Sequence, residues 1–226
     1  IVIKVAAIQM QMGQDKSQNI QKATQKVKEA ASNGANVVLL PELFEGYYFC
    51  KDIDKQYFEW ACERENNPLI KHLSALAKEL NVVLPISYFE KSDERYFNSL
   101  VVIDADGTIL DNYRKTHIPD GPGYEEKFYF EPGDTGFKVW KTQFGMVGVG
   151  ICWDQWFPET ARSLTLMGAD MIFYPTAIGS EPEIGVDSAA HWQRVQVGHS
   201  SANIIPVIAA NRIGEEVGQS CTLTFY

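Results

Sequence analysis

Two apolar patterns alternate along the chain. Ile20, Ala23, Val27 and Ala30 recur at three- and four-residue steps behind Ser17, and Leu69, Ile70, Leu73, Leu76 and Leu80 do the same behind Asn67-Pro68. Such spacing lines one face of a helix; Ser17 suits a cap, Pro68 a first helical position, and Gly34 a stop. Between the helices lie runs too short to be helices themselves: Ile1–Ile8, Asn36–Leu40, 82–86, Met146–Ile151, Met171–Tyr174 and Ile204–Ala210. Continuous apolar runs of this length read as strands, those at 36–40, 146–151 and 171–174 as strands buried in the core. Phe137–Thr142 is a further strand, and segments 98–103 and 108–113 flank Asp104-Ala105-Asp106-Gly107 as a β-hairpin. Further helices are expected from Pro158 and through His191-Trp192-Gln193-Arg194.

The alternation of helices and strands implies an α/β fold. Gly34-Ala35-Asn36, four apolar residues and Pro41 are echoed by Gly168-Ala169-Asp170, four apolar residues and Pro175. Each is a helix end feeding a strand that stops at proline. The echo predicts two similar halves, each a sheet with helices outside, packed sheet against sheet as a four-layer α-β-β-α sandwich. That arrangement supplies the two-sided burial the strands need.

Composition narrows the partners. A chain of 226 residues, 45% hydrophobic, suits one domain over 1–226 with a well-filled core. Its formal charge of −9 disfavours nucleic acid and anionic membrane surfaces, and the apolar N-terminus is too short to span a bilayer. Cysteines at 50, 62, 152 and 221 show no C-x-x-C spacing and no disulfide-framework density, which points to a reduced, cytoplasmic protein. Histidines at 72, 117, 191 and 199 are too scattered for a local zinc pair, so no metal site is expected. The chain stops inside the apolar run Cys221–Tyr226 and starts at Ile1, so truncation is expected at the C-terminus and trimming at the front.

The candidate chemistry gathers at strand ends. Glu42 follows Val-Leu-Leu-Pro, Lys115 follows the hairpin strand, and Cys152 follows Gly-Val-Gly-Ile. Cys152 reads either as an inert core cysteine or as a nucleophile at a strand-to-helix corner, where a helix dipole lowers a thiol pKa. A carboxylate beside a thiol can take its proton and return it to a leaving amine, while an ammonium can hold the oxyanion of a tetrahedral intermediate. Those groups suffice for acyl transfer from an amide. Gly145, Gly148 and Gly150 lie within a strand, which disfavours a nucleotide-binding G-x-G-x-x-G turn. The aromatic stretch 43–66, with Tyr48, reads as core filler or as a pocket wall.

Leu40-Pro41-Glu42-Leu43-Phe44, Tyr113-Arg114-Lys115-Thr116-His117-Ile118-Pro119 and Gly150-Ile151-Cys152-Trp153-Asp154 resemble, in this order, the three blocks of the nitrilase-type carbon–nitrogen hydrolases. The resemblance implies Glu42 as general base, Lys115 as oxyanion stabiliser, Cys152 as nucleophile and the Trp153 N–H as a second oxyanion donor. It also implies a second glutamate, Glu126, with Glu125 the competing assignment. No metal or organic cofactor is implied. A homo-oligomer built on a dimer is, with the helix after Cys152 near the interface.

Blocks 117–130 and 191–213 resemble the branch of the family that hydrolyses the ureido group of N-carbamoylputrescine. The resemblance therefore implies a small carbamoylated amine as substrate. Candidate contacts are Tyr48, Asp120, Tyr124, Thr176, Asp187 and His191, with Asp120 or Asp187 meeting the ammonium. Two alternatives stay open: β-ureidopropionate, clamped by Arg194 or Arg212, and a silent binding scaffold with this fold.

Overall fold

The computed structural model describes residues 2–180 and 185–226; Ile1, the expected start of the first strand, and part of the loop expected between Thr176 and Ser188 lie outside them. Its first half forms a mixed sheet. Strand β1 (Val5–Ala7) pairs in parallel with β2 (Val37–Leu39), and β2 meets the next strand through a parallel bridge between Val37 and Val83. Strands β3 (Leu84–Ser92), β4 (Arg95–Ile103) and β5 (Ile109–Arg114) continue it as an antiparallel meander. Helices α1 (Lys16–Ser32) and α2 (Pro68–Leu80) cover its outer face, with Ala23, Val27, Leu69 and Leu73 packed on Val38, Leu84, Ile86 and Val101. Leu73 is 1% exposed, so Leu73→Ala should cost roughly 2–5 kcal/mol.

The second half repeats the plan. Strands β6 (Val139–Thr142), β7 (Gly145–Val149), β8 (Met171–Pro175) and β9 (Val207–Ala210) form one sheet, antiparallel at β6 and parallel thereafter. Helix α4 (Pro158–Leu166) sets Ala161 and Leu164 over Ile172 and Tyr174, and α5 (Ala189–Asn203) lies alongside. Between the sheets, Val37, Leu39, Val83, Leu100 and Val102 meet Val147, Val149, Ile151 and Phe173. The expected α-β-β-α sandwich is therefore present. The echoed glycines are its matching corners: Gly34 and Gly168, at φ 86° and 92°, each close a helix just before an inner strand. A last hairpin, β10 (Gly214–Val217) with β11 (Thr222–Phe225), packs beside the aromatic cluster around Tyr48 and Phe49.

Several local expectations need correction. Asp15, not Ser17, caps α1: its carboxylate accepts from the Ser17 and Gln18 N–H groups and from the Ser17 hydroxyl. Strand β3 runs on to Ser92 because Tyr88, Phe89 and Glu90 pair with β4, and the turn uses Asp93 at φ 55° where no glycine signals it. The strand expected from Ile204 starts at Val207, since Ile204 adopts φ 54° to close α5. Cys152 opens a short 3₁₀ turn, Cys152–Trp156, that no local pattern signalled, while the α-helix starts at Pro158 as expected.

Candidate active site

Four segments deliver charged or nucleophilic groups to one place. Glu42 sits just beyond β2, its N–H directed at the Thr176 carbonyl at 3.3 Å. Lys115 follows β5, its N–H bonded to the Asn98 carbonyl at 2.8 Å. Glu126 opens the one-turn helix α3 (Glu126–Tyr129), and Cys152 ends the loop after β7. The Lys115 ammonium donates to Glu42 Oε1 at 2.8 Å and to Glu126 Oε2 at 2.7 Å. All three side chains are fully buried. Asn98 Nδ2 donates to Glu42 Oε1 at 2.7 Å, and the Tyr48 hydroxyl donates to Glu126 Oε1 at 2.6 Å. Glu42 Oε2 is buried with no hydrogen-bond partner among the described residues, a costly state for a carboxylate oxygen that leaves a strong acceptor free.

Electrostatics sort these groups. Burial pulls the Lys115 ammonium down, but Glu126 and Glu42, with Cys152, outweigh it and hold its pKa well above the ordinary lysine value. Burial pushes Glu126 up to about 7, against the pull of Lys115 and with the push of Glu42. Burial, reinforced by Glu42, also pushes the Cys152 thiol well above its usual value, with Lys115 opposing. The thiol is therefore protonated at neutral pH. This reverses the expectation that a helix dipole would lower its pKa, because burial and the neighbouring Glu42 outweigh that pull. Cys152 itself adopts φ 41°, a strained backbone for a non-glycine residue, with Sγ 3.8 Å from the Ala177 carbonyl oxygen.

Cys152 and Glu126 line a mainly apolar cavity of about 570 Å³. Its walls include Pro119, Asp120, Tyr124, Trp153, Phe157, Ile178 and His191. No lysine or arginine is among its described lining residues. Trp153 is 38% exposed at the cavity, packed edge-on against Phe157. The Tyr124 hydroxyl accepts from the Gly179 N–H at 3.0 Å, and His191 stacks on Trp156.

The candidate contacts divide accordingly. Asp120, Tyr124 and His191 reach the cavity; Tyr48 reaches the catalytic groups through Glu126. Thr176 does not line it: the residue is buried, with its hydroxyl donating to the Tyr174 carbonyl at 2.9 Å. Asp187 also lies off the lining, accepting from the Ala189 N–H at the start of α5, where Ser188 reaches the cavity instead. Of the two glutamates, Glu126 meets Lys115, whereas Glu125 is only partly buried and does not line the cavity. Arg212 is no carboxylate clamp: its guanidinium is bonded to the Glu42, Leu43 and Gly46 carbonyls and to Glu216. Arg194 is exposed on α5 and does not line the cavity.

Several residues escaped sequence reasoning. Asn98 fixes the Glu42 carboxylate, yet in sequence it is only the polar first residue of a strand. Asp154 is fully buried and accepts from the Ile151 N–H, the Tyr113 hydroxyl and the His117 N–H, tying the nucleophile turn to the Lys115 segment. Gln155 joins that turn to α5, accepting from Trp192 Nε1 at 2.6 Å and Gln196 Nε2 at 2.7 Å. The one available signal was the Trp153-Asp154-Gln155 run directly after Cys152.

Comparison with known proteins agrees with the geometry. The model of the carbon–nitrogen hydrolase family matches residues 4–224. The N-carbamoylputrescine amidase of Arabidopsis thaliana is 52% identical over 99% of this chain and 77% of its own length. The citrullinase of Francisella tularensis is 50% identical over 99% of this chain and 79% of its own length. Among solved structures, a carbon–nitrogen hydrolase from Helicobacter pylori G27 superposes with TM-score 0.90 at 37% identity, covering 99% of this chain and 80% of that one.

Proposed function

The chain belongs to the carbon–nitrogen hydrolase family, and from that premise we propose that it cleaves the ureido group of N-carbamoylputrescine to putrescine, carbon dioxide and ammonia. The observation that carries this reading is the buried Glu42–Lys115–Glu126 set grouped with Cys152 at an apolar cavity. Relatives named N-carbamoylputrescine amidase, such as those of Arabidopsis thaliana and Oryza sativa, support the substrate.

The roles follow from the chemistry. Glu42 takes the Cys152 proton as Sγ attacks the ureido carbon, which overcomes the raised thiol pKa within the complex. Lys115 and the Trp153 N–H receive the oxyanion. Collapse of the intermediate breaks the bond to the terminal nitrogen, and Glu42 returns the proton to departing ammonia. The enzyme is left as an S–C(=O)–NH–alkyl thiocarbamate. Water, deprotonated by Glu42, attacks that carbon and frees the thiol. The product carbamate loses carbon dioxide to leave the amine. Glu126 keeps Lys115 charged and aimed, and Tyr48 holds Glu126.

Substrate choice rests on the cavity's charge. An alkylammonium tail fits an apolar cavity whose described lining carries Asp120 and neither lysine nor arginine. β-Ureidopropionate, which ends in a carboxylate, lacks its clamp because Arg212 is occupied. Citrulline is the second reading, on the strength of the citrullinase relative. It shares the alkylureido end but adds a carboxylate beside its amine. Ammonia release from the three ureides side by side decides the matter. Preference for N-carbamoylputrescine supports the cationic tail, and preference for either carboxylate-bearing ureide removes it.

The chain works as one catalytic domain, supported by the core shared between the sheets. We place it in the cytoplasm, supported by four free cysteines, as a homo-oligomer built on a dimer. Leu166 and Met167 at the end of α4, with Val197 and Ile204 of the α5 region, are exposed apolar residues suited to a subunit contact on the helices that follow the Cys152 turn. Light scattering showing only monomer would contradict the dimer.

A further inference from the structure

Among the buried charged groups outside the catalytic set are Arg212, just past β9, and Glu216, on β10, at 0% and 1% exposure. Neither lines the cavity. Their hydrogen bonds nevertheless converge on the segment that carries Glu42. Arg212 Nη2 donates to the Glu42 carbonyl at 3.0 Å and the Leu43 carbonyl at 2.6 Å. Its Nη1 donates to the Gly46 carbonyl at 2.9 Å and to Glu216 Oε1 at 2.8 Å. Glu216 Oε2 then accepts the Tyr48 N–H at 2.6 Å.

We propose that the Arg212–Glu216 pair is a positioning device for the proposed reaction, fixing the turn from Glu42 to Tyr48 so that the base and the partner of Glu126 are set together. Leu43 holds φ 50°, a backbone that a β-carbon disfavours, and its two peptide flanks are pinned by Ser87 Oγ on the N–H and by Arg212 on the carbonyl. Three carbonyls and one carboxylate oxygen around a single side chain call for a planar, many-donor fork, which lysine lacks. A buried ion pair is weak support for stability, since well-packed apolar residues often replace one without loss. Here apolar replacements would strand three buried carbonyls and the Tyr48 N–H, and would leave the Leu43 backbone free to relax. Glu42 would then drift from Lys115 and Cys152 although the cavity kept its shape.

The inference rests on Glu42 serving as base, and two readouts separate it from the substrate reading. One is ammonia release from N-carbamoylputrescine; the other is alkylation of Cys152 by iodoacetamide, which needs a base near the thiol but no substrate. Arg212→Met, Arg212→Lys and Glu216→Gln are compared with wild type below their thermal transitions. Arg212→Met should lower kcat about 100-fold with KM within about twofold, and slow alkylation alongside. Arg212→Lys should recover part of that loss. Glu216→Gln, which keeps the shape but opposes an amide to the Tyr48 N–H, should cost about tenfold. Should Arg212→Met not fold, Arg212→Lys and Glu216→Gln decide. Folded variants with lower thermal stability but wild-type kcat and alkylation rate would overturn the proposal and leave the pair a core ion pair. Wild-type enzyme inert to N-carbamoylputrescine would sink the substrate reading, while the alkylation series would still report on the pair.

Discussion

Lys115 stands between two carboxylates, 2.8 Å from Glu42 and 2.7 Å from Glu126, with all three side chains closed off from solvent. Both glutamates depend on it, because two buried carboxylates without a cation repel each other and lack solvation. Lys115→Met should therefore destabilise the fold by roughly 3–5 kcal/mol as well as remove the oxyanion donor. In protein that remains folded, kcat should fall about 100- to 1000-fold. Denaturant titration and single-turnover kinetics on the same sample check both halves.

Glu126 gives stability a pH dependence whose sign follows from the rise in its pKa. That pKa goes from about 4.5 unfolded to about 7 folded, so the folded state binds more protons in that window. The stability linked to Glu126 is fully present below 4.5 and is lost as pH rises through 7, with a slope of at most roughly 1.4 kcal/mol per pH unit. Glu126→Gln should flatten this part of the profile. Melting temperatures of both proteins across that pH window test it: wild type should decline relative to the variant, and parallel curves would contradict it.

How much of this was open to reading from sequence depends on the range of the interactions involved. Helices α1 and α2 declared themselves through apolar spacing, and the matched glycines at 34 and 168 exposed the two-half plan. The blocks around Glu42, Lys115 and Cys152 marked the site because each residue ends a β segment. What stayed hidden was long-range. Asn98 lies 56 residues from the Glu42 it holds, and Arg212 lies 170 residues from the Glu42 carbonyl to which it donates. The state of the thiol was hidden for a related reason: the strand–Cys–Pro pattern implies a helix dipole close to Cys152, while burial, which no local pattern reports, governs its proton.

The protonated thiol has its own consequence. At pH 7, Cys152 should react with iodoacetamide more slowly than a free cysteine, and Glu42→Gln should slow it further by removing the base. The rate should climb as pH passes above 9, the ordinary thiol value. Alkylation faster than that of free cysteine at pH 7 would mean a resting thiolate and would contradict the electrostatics above.

Asp120 is the acid that reaches the cavity, and it is exposed, so solvent screens its contribution. Asp120→Asn should raise KM for N-carbamoylputrescine about two- to fivefold and leave kcat unchanged, in line with the modest worth of exposed ion pairs. Asp187→Asn, whose amide oxygen can still accept the Ala189 N–H at the helix start, should leave both constants unchanged. Steady-state kinetics on the two variants distinguish the acids, and a KM effect confined to Asp187→Asn would reverse the assignment.

The central claim is covalent catalysis by Cys152 on a ureide. Rapid acid quench of wild-type enzyme turning over N-carbamoylputrescine, followed by intact-mass measurement, tests it most directly. The account predicts an adduct on Cys152 equal to the substrate minus ammonia, absent from Cys152→Ala, which should release no ammonia. Ammonia release by Cys152→Ala at the wild-type rate would contradict it.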